Sequence, residues 1–205
     1  MKATISPAFL TGTIRAPYSK SYAHRYLIAE FLSGAPLSDY GNADDILRTK
    51  EGLLALSFSD EINCGDSAAT LRFLLPVAAA LGKKVRFLRS EGLSKRPVEE
   101  LISVLNEHGA RIENDRVFGR IEAGRYEMTA SVSSQFISGL LFALPLLEEK
   151  SELRLIGKRV SEPYIQMTVE ILRVFGVMLE ENADGFTVYP SEYRSRKEPA
   201  YAAPE

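Results

Sequence analysis

Tryptophan is absent from this 205-residue chain, and cysteine and histidine nearly so: Cys64, His24 and His108 are the whole supply. A single cysteine excludes an intrachain disulfide and fits a reducing compartment. Two scattered histidines leave no spacing suited to a metal centre. No glycine-rich nucleotide loop is present, so no cofactor is expected. No apolar run approaches the ~20 residues a membrane helix needs. The start, MKATISPAFL, lacks the basic-then-apolar form of a secretory leader, and a cytoplasmic location is expected. Charge of one sign is also missing. Lys and Arg number 25 against 27 Asp and Glu, a net charge of −2. That excludes a dedicated nucleic-acid binder, which carries a basic excess, and leaves room for local basic pockets that take small anions.

What is present is an ordinary globular composition, 45% hydrophobic and 25% charged. Apolar periodicity and stop signals predict six helices, at 21–33, 44–56, 67–81, 97–108, 133–147 and 163–175. The first, third and fifth have almost no polar face, as in TLRFLLPVAAAL and FISGLLFALPLL. A helix apolar all round is buried all round. Between the helices lie the β-like runs KKVRFLR and SELRLIG and two paired runs, ARIEND/RVFGRIEA and VMLEEN/GFTVYP. Asn114-Asp115 links the first pair, and Ala183-Asp184-Gly185 links the second with a hairpin signal.

These pieces repeat. LNEHGARIEN from Leu105 aligns with LRVFGVMLEE from Leu172, and Gly109 and Gly176 fall just past helix ends, where a left-handed cap favours glycine. The unit is buried helix, strand, amphipathic helix, glycine, hairpin. It occurs clearly twice. The first helix pair looks like a third copy whose hairpin has shrunk to 57–63. The expectation is an α/β (α+β) lobe of three β-α-β-α-β-β-like repeats, inside out, with helices buried and sheets outside. The tail 191–205, SEYRSRKEPAYAAPE, has no apolar period and reads as a linker or frayed end.

Hydroxyls gather at four helix starts, often beside a cation. They are Ser19-Lys20-Ser21 with Arg25, Asp66-Ser67 with Arg72, Ser133-Ser134-Gln135, and Ser161-Glu162-Pro163-Tyr164; Lys95-Arg96-Pro97 precede the fourth helix. Each has a bland explanation. A serine before a helix is most often an N-cap, a lone Arg25 or Arg72 a solvated or snorkelling side chain, Pro97 a helix-start proline. Asp44-Asp45 most simply cap the second helix, and Cys64 is most simply a small buried residue. As a set they point elsewhere. Helix N-termini offer unpaired N–H groups and partial positive charge, and arginine adds bidentate recognition, so converging starts make a concentrated anion site.

Five motifs carry a specific resemblance: SKSYAHRYLIAEFLSG, CGDSAATLRFLLPVAAALG, GLSKRPVEELISVLNEHGA, SSQFISGLLFALPL and SEPYIQMTVEILRVFGV. In sequence and in order, over 19–177, they resemble the signatures of the EPSP synthase family. That family transfers the enolpyruvyl group of phosphoenolpyruvate to the 5-hydroxyl of shikimate-3-phosphate. The resemblance implies that Lys20 contacts both substrates and is the catalytic residue this chain supplies. It implies that Ser21 and Arg25 hold the shikimate portion, that Ser133, Ser134 and Ser161 bind its phosphate, and that Tyr164 packs near its ring. Gln135 would bridge toward phosphoenolpyruvate, and Arg96 would bind the phosphate of that substrate. Ala68 stands where the family usually has glycine, and its methyl would narrow the phosphoenolpyruvate side of the pocket.

Family members are roughly twice this long. The resemblance therefore implies a shikimate-3-phosphate-binding lobe at 13–190, a segment 1–12 that belongs with the other lobe, and a linker 191–205 toward a missing C-terminal lobe. That lobe would supply the acid and base carboxylates, so the isolated lobe is expected to be inactive. Two other functions fit part of the pattern. The related UDP-N-acetylglucosamine enolpyruvyl transferases have Lys-Asn where this chain has Lys20-Ser21, and use a loop cysteine. A stand-alone binding module for phosphorylated sugars or cyclitols would need only the cleft.

Overall fold

A computed structural model describes residues 4, 9, 11–13 and 16–195. Helix α1 (Lys20–Leu32) and helix α2 (Asp44–Phe58) come first. Strand β1 (Glu61–Gly65), α3 (Ala68–Ala80), β2 (Val85–Arg89), the single turn α4 (Glu91–Ser94), α5 (Glu99–Glu107), β3 (Ala110–Glu113) and β4 (Arg116–Gly119) form one complete unit. Strand β5 (Arg125–Thr129), α6 (Ser134–Ala143), β6 (Ser151–Ile156), α7 (Glu162–Val174), β7 (Leu179–Asn182) and β8 (Gly185–Val188) form the second. Each unit folds into a four-stranded sheet of the same topology, β1-β2-β4-β3 and β5-β6-β8-β7. In each, the first two strands pair in parallel across a buried helix, and the last two form an antiparallel hairpin.

The expected inside-out arrangement holds. Helices α3 and α6 are buried along almost their whole length, as their lack of a polar face requires, and the sheets alternate buried and exposed residues. Glycine permits the close approach of the two central helices. A Cβ on Gly139 would stand 2.3 Å from the Arg72 carbonyl oxygen. That carbonyl lacks its usual helical donor, because the residue four positions on is Pro76, which has no N–H.

The aligned repeats land on equivalent places. Gly109 and Gly176 follow α5 and α7 with φ of +101° and +82°. The Asn114-Asp115 link has two positive φ values, 49° and 62°, as a tight primed hairpin turn demands. Gly185 opens β8, where a Cβ would strike the Leu153 carbonyl oxygen.

Several expectations need correction. The first helix pair stands without a sheet of its own among the described residues. The stretch 57–63 is no hairpin remnant: it ends α2 and starts β1, which pairs in parallel with β2. Strand β5 carries little sequence signal, because only Tyr126 and Met128 of its five residues are apolar and buried. Helix α5 starts at Glu99, so Pro97 precedes the helix instead of opening it. Asp44 and Asp45 lie in the first turn of α2, whose N-cap is Ala43.

The expected segment 1–12 lies outside the described residues apart from 4, 9, 11 and 12, as does 196–205 of the expected linker. The start of that linker is packed, not frayed. Tyr193 is buried, and its hydroxyl donates to the Phe142 carbonyl at 2.8 Å. The Arg194 N–H donates to the Phe175 carbonyl at 2.8 Å. No helix of the described residues is long and apolar enough to cross a membrane.

Candidate functional site

Parallel pairing sends α3, α5, α6 and α7 off the carboxyl ends of β1, β2, β5 and β6. Ligands of α/β sheets gather at such ends. The starts of these helices and of α1 and α2 meet in a cleft of about 680 Å³. Lys20, Ser21 and Arg25 reach it from α1, Ala68 from α3, and Arg96 from the turn before α5. Ser133, Ser134 and Gln135 reach it from α6, and Ser161 and Tyr164 from α7. Every residue to which the resemblance gives a substrate-binding role therefore lines one cleft, whereas Ser19, Lys95 and Glu162 of the same helix starts do not. Three metal-type side chains, His24, Asp45 and Asp66, line it as well, but among the described residues no cluster of His, Cys, Asp or Glu suits a metal ion.

Charge in the cleft is unbalanced. Lys20, Arg25, Arg72 and Arg96 face two carboxylates, Asp45 and Asp66. Both carboxylates are engaged. Asp45 accepts from Lys20 Nζ at 2.9 Å, a bond that raises the ammonium pKa and keeps it charged. Asp66 accepts from the Ser90 hydroxyl. What remains is a net positive site into which an anion brings compensating charge.

Arg25 corrects the expectation of a solvated side chain. It is 3% exposed. Its Nε donates to Thr168 Oγ1 at 2.7 Å and one terminal nitrogen to the Ser21 carbonyl at 2.8 Å. The other donates to Ser138 Oγ at 3.2 Å and the Tyr164 carbonyl at 3.0 Å. The cation lies 5.1 Å from the centroid of Phe73. No carboxylate pairs with it among the described residues, and burial pulls its pKa down to about 10, partly offset by Tyr164 and Tyr22. At neutral pH it is a buried charge held by neutral oxygens, which an incoming carboxylate or phosphate would complete.

Arg72 is less deep. It donates to Gln135 Oε1 at 2.8 Å and to the Pro97 carbonyl at 2.8 Å, while its Nε is buried without a partner among the described residues. Because Gln135 Oε1 is taken, its amide NH₂ is left to donate into the cleft. Burial lowers the Arg72 pKa, and neighbouring Arg96 lowers it further.

The serines divide. Ser67 caps α3, accepting from the Thr70 N–H at 3.3 Å, and Ser133 caps α6, accepting from the Gln135 N–H at 3.2 Å. For these two the bland explanation holds, although each hydroxyl proton can still be donated. Ser19 and Ser161 sit at N-cap positions without capping through their side chains. The hydroxyls of Ser21, Ser134 and Ser161 make no hydrogen bond within the described residues. Ala68 is 6% exposed where α3 meets the cleft.

His24 belongs to the site and escaped the sequence reading, in which a lone histidine figures only as a poor metal ligand. It is buried in the cleft wall, its Nδ1 2.7 Å from Thr49 Oγ1. Thr49 is 2.7 Å from Thr70 Oγ1, which donates to Ser67 Oγ at 2.8 Å. This chain of hydrogen bonds joins α1, α2 and α3 just behind their starts. Burial pushes the His24 pKa down to about 4, so the ring is neutral at pH 7. Its position one turn into an apolar helix was the available signal. Cys64 is fully buried, does not line the cleft, and burial pushes its thiol up to about 12.

Comparison with known proteins gives the family and the fold. The family model of EPSP synthase (3-phosphoshikimate 1-carboxyvinyltransferase) matches residues 34–200. A 3-phosphoshikimate 1-carboxyvinyltransferase of Clostridium perfringens is 30% identical over 210 residues, covering 88% of this chain and 50% of that protein. One from Clostridium kluyveri is 32% identical, over 86% of this chain and 48% of the relative. The solved EPSP synthase of Acinetobacter baumannii superposes with a TM-score of 0.71 at 18% identity, covering 89% of this chain and 48% of that one, a likeness of fold. The chain belongs to the EPSP synthase family, and it spans about half the length of the relatives it matches.

Proposed function

We propose that this chain is the shikimate-3-phosphate-binding lobe of an enzyme that moves the enolpyruvyl group of phosphoenolpyruvate to the 5-hydroxyl of shikimate-3-phosphate. The observation that carries the proposal is the convergence of every motif-derived residue on one cleft with four cations and two already engaged carboxylates. Both substrates carry a carboxylate and a phosphate, and the cleft offers fixed cations, helix starts and free hydroxyls in the same place.

In this assignment Arg25 and Ser21 take the shikimate carboxylate, and Ser133, Ser134 and Ser161 take its phosphate. Tyr164, 46% exposed on the first turn of α7, offers a face to the ring. Arg96 takes the phosphate of phosphoenolpyruvate. Gln135 donates between the two ligands, and Ala68 closes that side. Lys20 exchanges its Asp45 contact for both substrates. In the reaction the 5-hydroxyl gives up its proton as its oxygen bonds to C2 of phosphoenolpyruvate, and C3 gains a proton. Phosphate then leaves C2 as C3 loses a proton. This lobe contributes positioning and charge. Proton transfer is assigned to the second lobe, which the family resemblance implies would supply the acid and base carboxylates. On this proposal 13–190 is the substrate lobe, 1–12 belongs with the second lobe, and 191–205 leads toward it. The buried Cys64 weighs against the cysteine-dependent relatives that act on UDP-N-acetylglucosamine.

Calorimetric titration with shikimate-3-phosphate at low salt tests the proposal. Binding is expected, weakened about tenfold or more by Lys20→Ala and by Ser134→Ala, each of which removes one charge-assisted contact. Affinity indifferent to both substitutions in a folded chain overturns the assignment.

A further inference from the structure

We propose that Arg159, which lies outside the cleft, is a positioning residue: it holds Ser161 in its left-handed backbone conformation and thereby sets the affinity of the cleft for a phosphorylated ligand. The ligand part rests on the function proposed above; the backbone part does not.

Ser161 has φ 57° and ψ 35°, a region costly for any residue with a Cβ unless it is an asparagine or aspartate. Its side chain makes no cap bond that would compensate locally. Such a conformation persists only where its surroundings over-determine it. Here both flanks are tied to one external point. Arg159 donates to Glu181 Oε1 at 2.9 Å on β7, and to the carbonyls of Asn182 and Ala183 at 3.3 Å and 3.5 Å in the hairpin turn. Its guanidinium carbon lies 5.6 Å from the ring centroid of Phe186 on β8. On the other side of Ser161, Glu162 accepts from Arg159 at 3.5 Å and from Gln166 Nε2 at 3.0 Å, and Gln166 also reaches Glu181.

Residues 159 and 162 are thus pinned to the β7–β8 hairpin, and Val160 between them donates its N–H to the Ala130 carbonyl at 3.3 Å. Pinning both ends of so short a segment leaves Ser161 little choice of φ and ψ. The cluster is not simply optimised for stability, since Glu162 Oε2 is buried without a partner among the described residues. Arg159 does not line the cleft, whereas Val160 and Ser161 do. Its effect on a ligand must pass through the backbone.

The test compares the chain with its Arg159→Ala and Glu181→Gln variants, the second in case the first folds poorly. Backbone carbon chemical shifts of Ser161 are read without ligand, and shikimate-3-phosphate affinity by calorimetry. Ser161 is expected to leave the left-handed region in both variants, and affinity to fall about tenfold. In a Ser161→Gly background, where positive φ carries no penalty, Arg159→Ala should change affinity less than about twofold. Left-handed shifts retained in both variants, or equal loss of affinity in the two backgrounds, overturn the proposal. Lys20→Ala separates the two ideas. If it leaves binding unchanged, the assigned function fails, while the Ser161 shifts still decide the role of Arg159.

Discussion

At the starts of α3 and α6 the cleft wall has its caps closed: Ser67 and Ser133 accept from their own helices, and Arg72 joins the two helices through Gln135. At the starts of α1 and α7 the opposite wall has its caps open. Ser19 and Ser161 cap nothing through their side chains, Ser161 is left-handed, and Arg25 is buried between the two helices. The first wall resembles ordinary helix packing that happens to border a cleft. The second keeps hydroxyls unused and a charge uncompensated. Groups held that way cost stability, and a bound anion would offset that cost.

The sharpest way to break this comparison is to remove one arginine from each wall. Arg25→Ala should destabilise the chain by about 3 kcal/mol, because Thr168, Ser138 and the Tyr164 carbonyl lose a buried donor. Arg72→Ala should cost only about 1 kcal/mol, since its partners lie nearer water. Urea unfolding of both variants checks this, and equal losses would erase the distinction between the walls.

Acid should loosen the α1 side through His24. Burial first, and then Arg25 and Lys20, lower its pKa from 6.5 to about 4, against a raising influence of Asp45. The unfolded chain therefore takes up the proton first. Stability from this group is complete above pH 6.5, falls as pH drops toward 4, and is level below that, a loss of ~3 kcal/mol at most. Unfolding midpoints of the chain and of His24→Gln should converge over that window. Parallel pH profiles would show that His24 is not the group responsible.

The smallest difference concerns the caps. Ser67→Ala should cost about 1 kcal/mol and Ser19→Ala close to nothing, because only Ser67 accepts from its helix. Thermal unfolding resolves the two, and equal shifts would mean that Ser19 caps in solution as Ser67 does.

How legible the site was depended on how local its determinants are. Every residue carried from the five motifs lines the cleft, because helix starts are marked by short signals and the repeat puts equivalent starts at one end. His24 and the Arg159 cluster were not legible as participants. His24 gains its hydrogen-bond partner from α2, 25 residues away, and Arg159 gains Glu181 across 22 residues. No short window of sequence holds both ends of such contacts. Strand β5 escaped for a related reason: two apolar residues are too few to mark a strand until β6 supplies the ladder.

Amino-acid order alone was enough to set the succession of helices and most strands, the glycine-marked repeat, the burial of α3 and α6, and the chemical class of the site. All of these follow from propensity, periodicity and caps within a few residues. Long-range packing was needed to bring β1 into the first complete sheet, to bury Arg25 without a carboxylate, and to force Ser161 into the left-handed region. Each of those depends on which distant groups share a low-dielectric interior, where a charge or a strained backbone persists only if its neighbours hold it there.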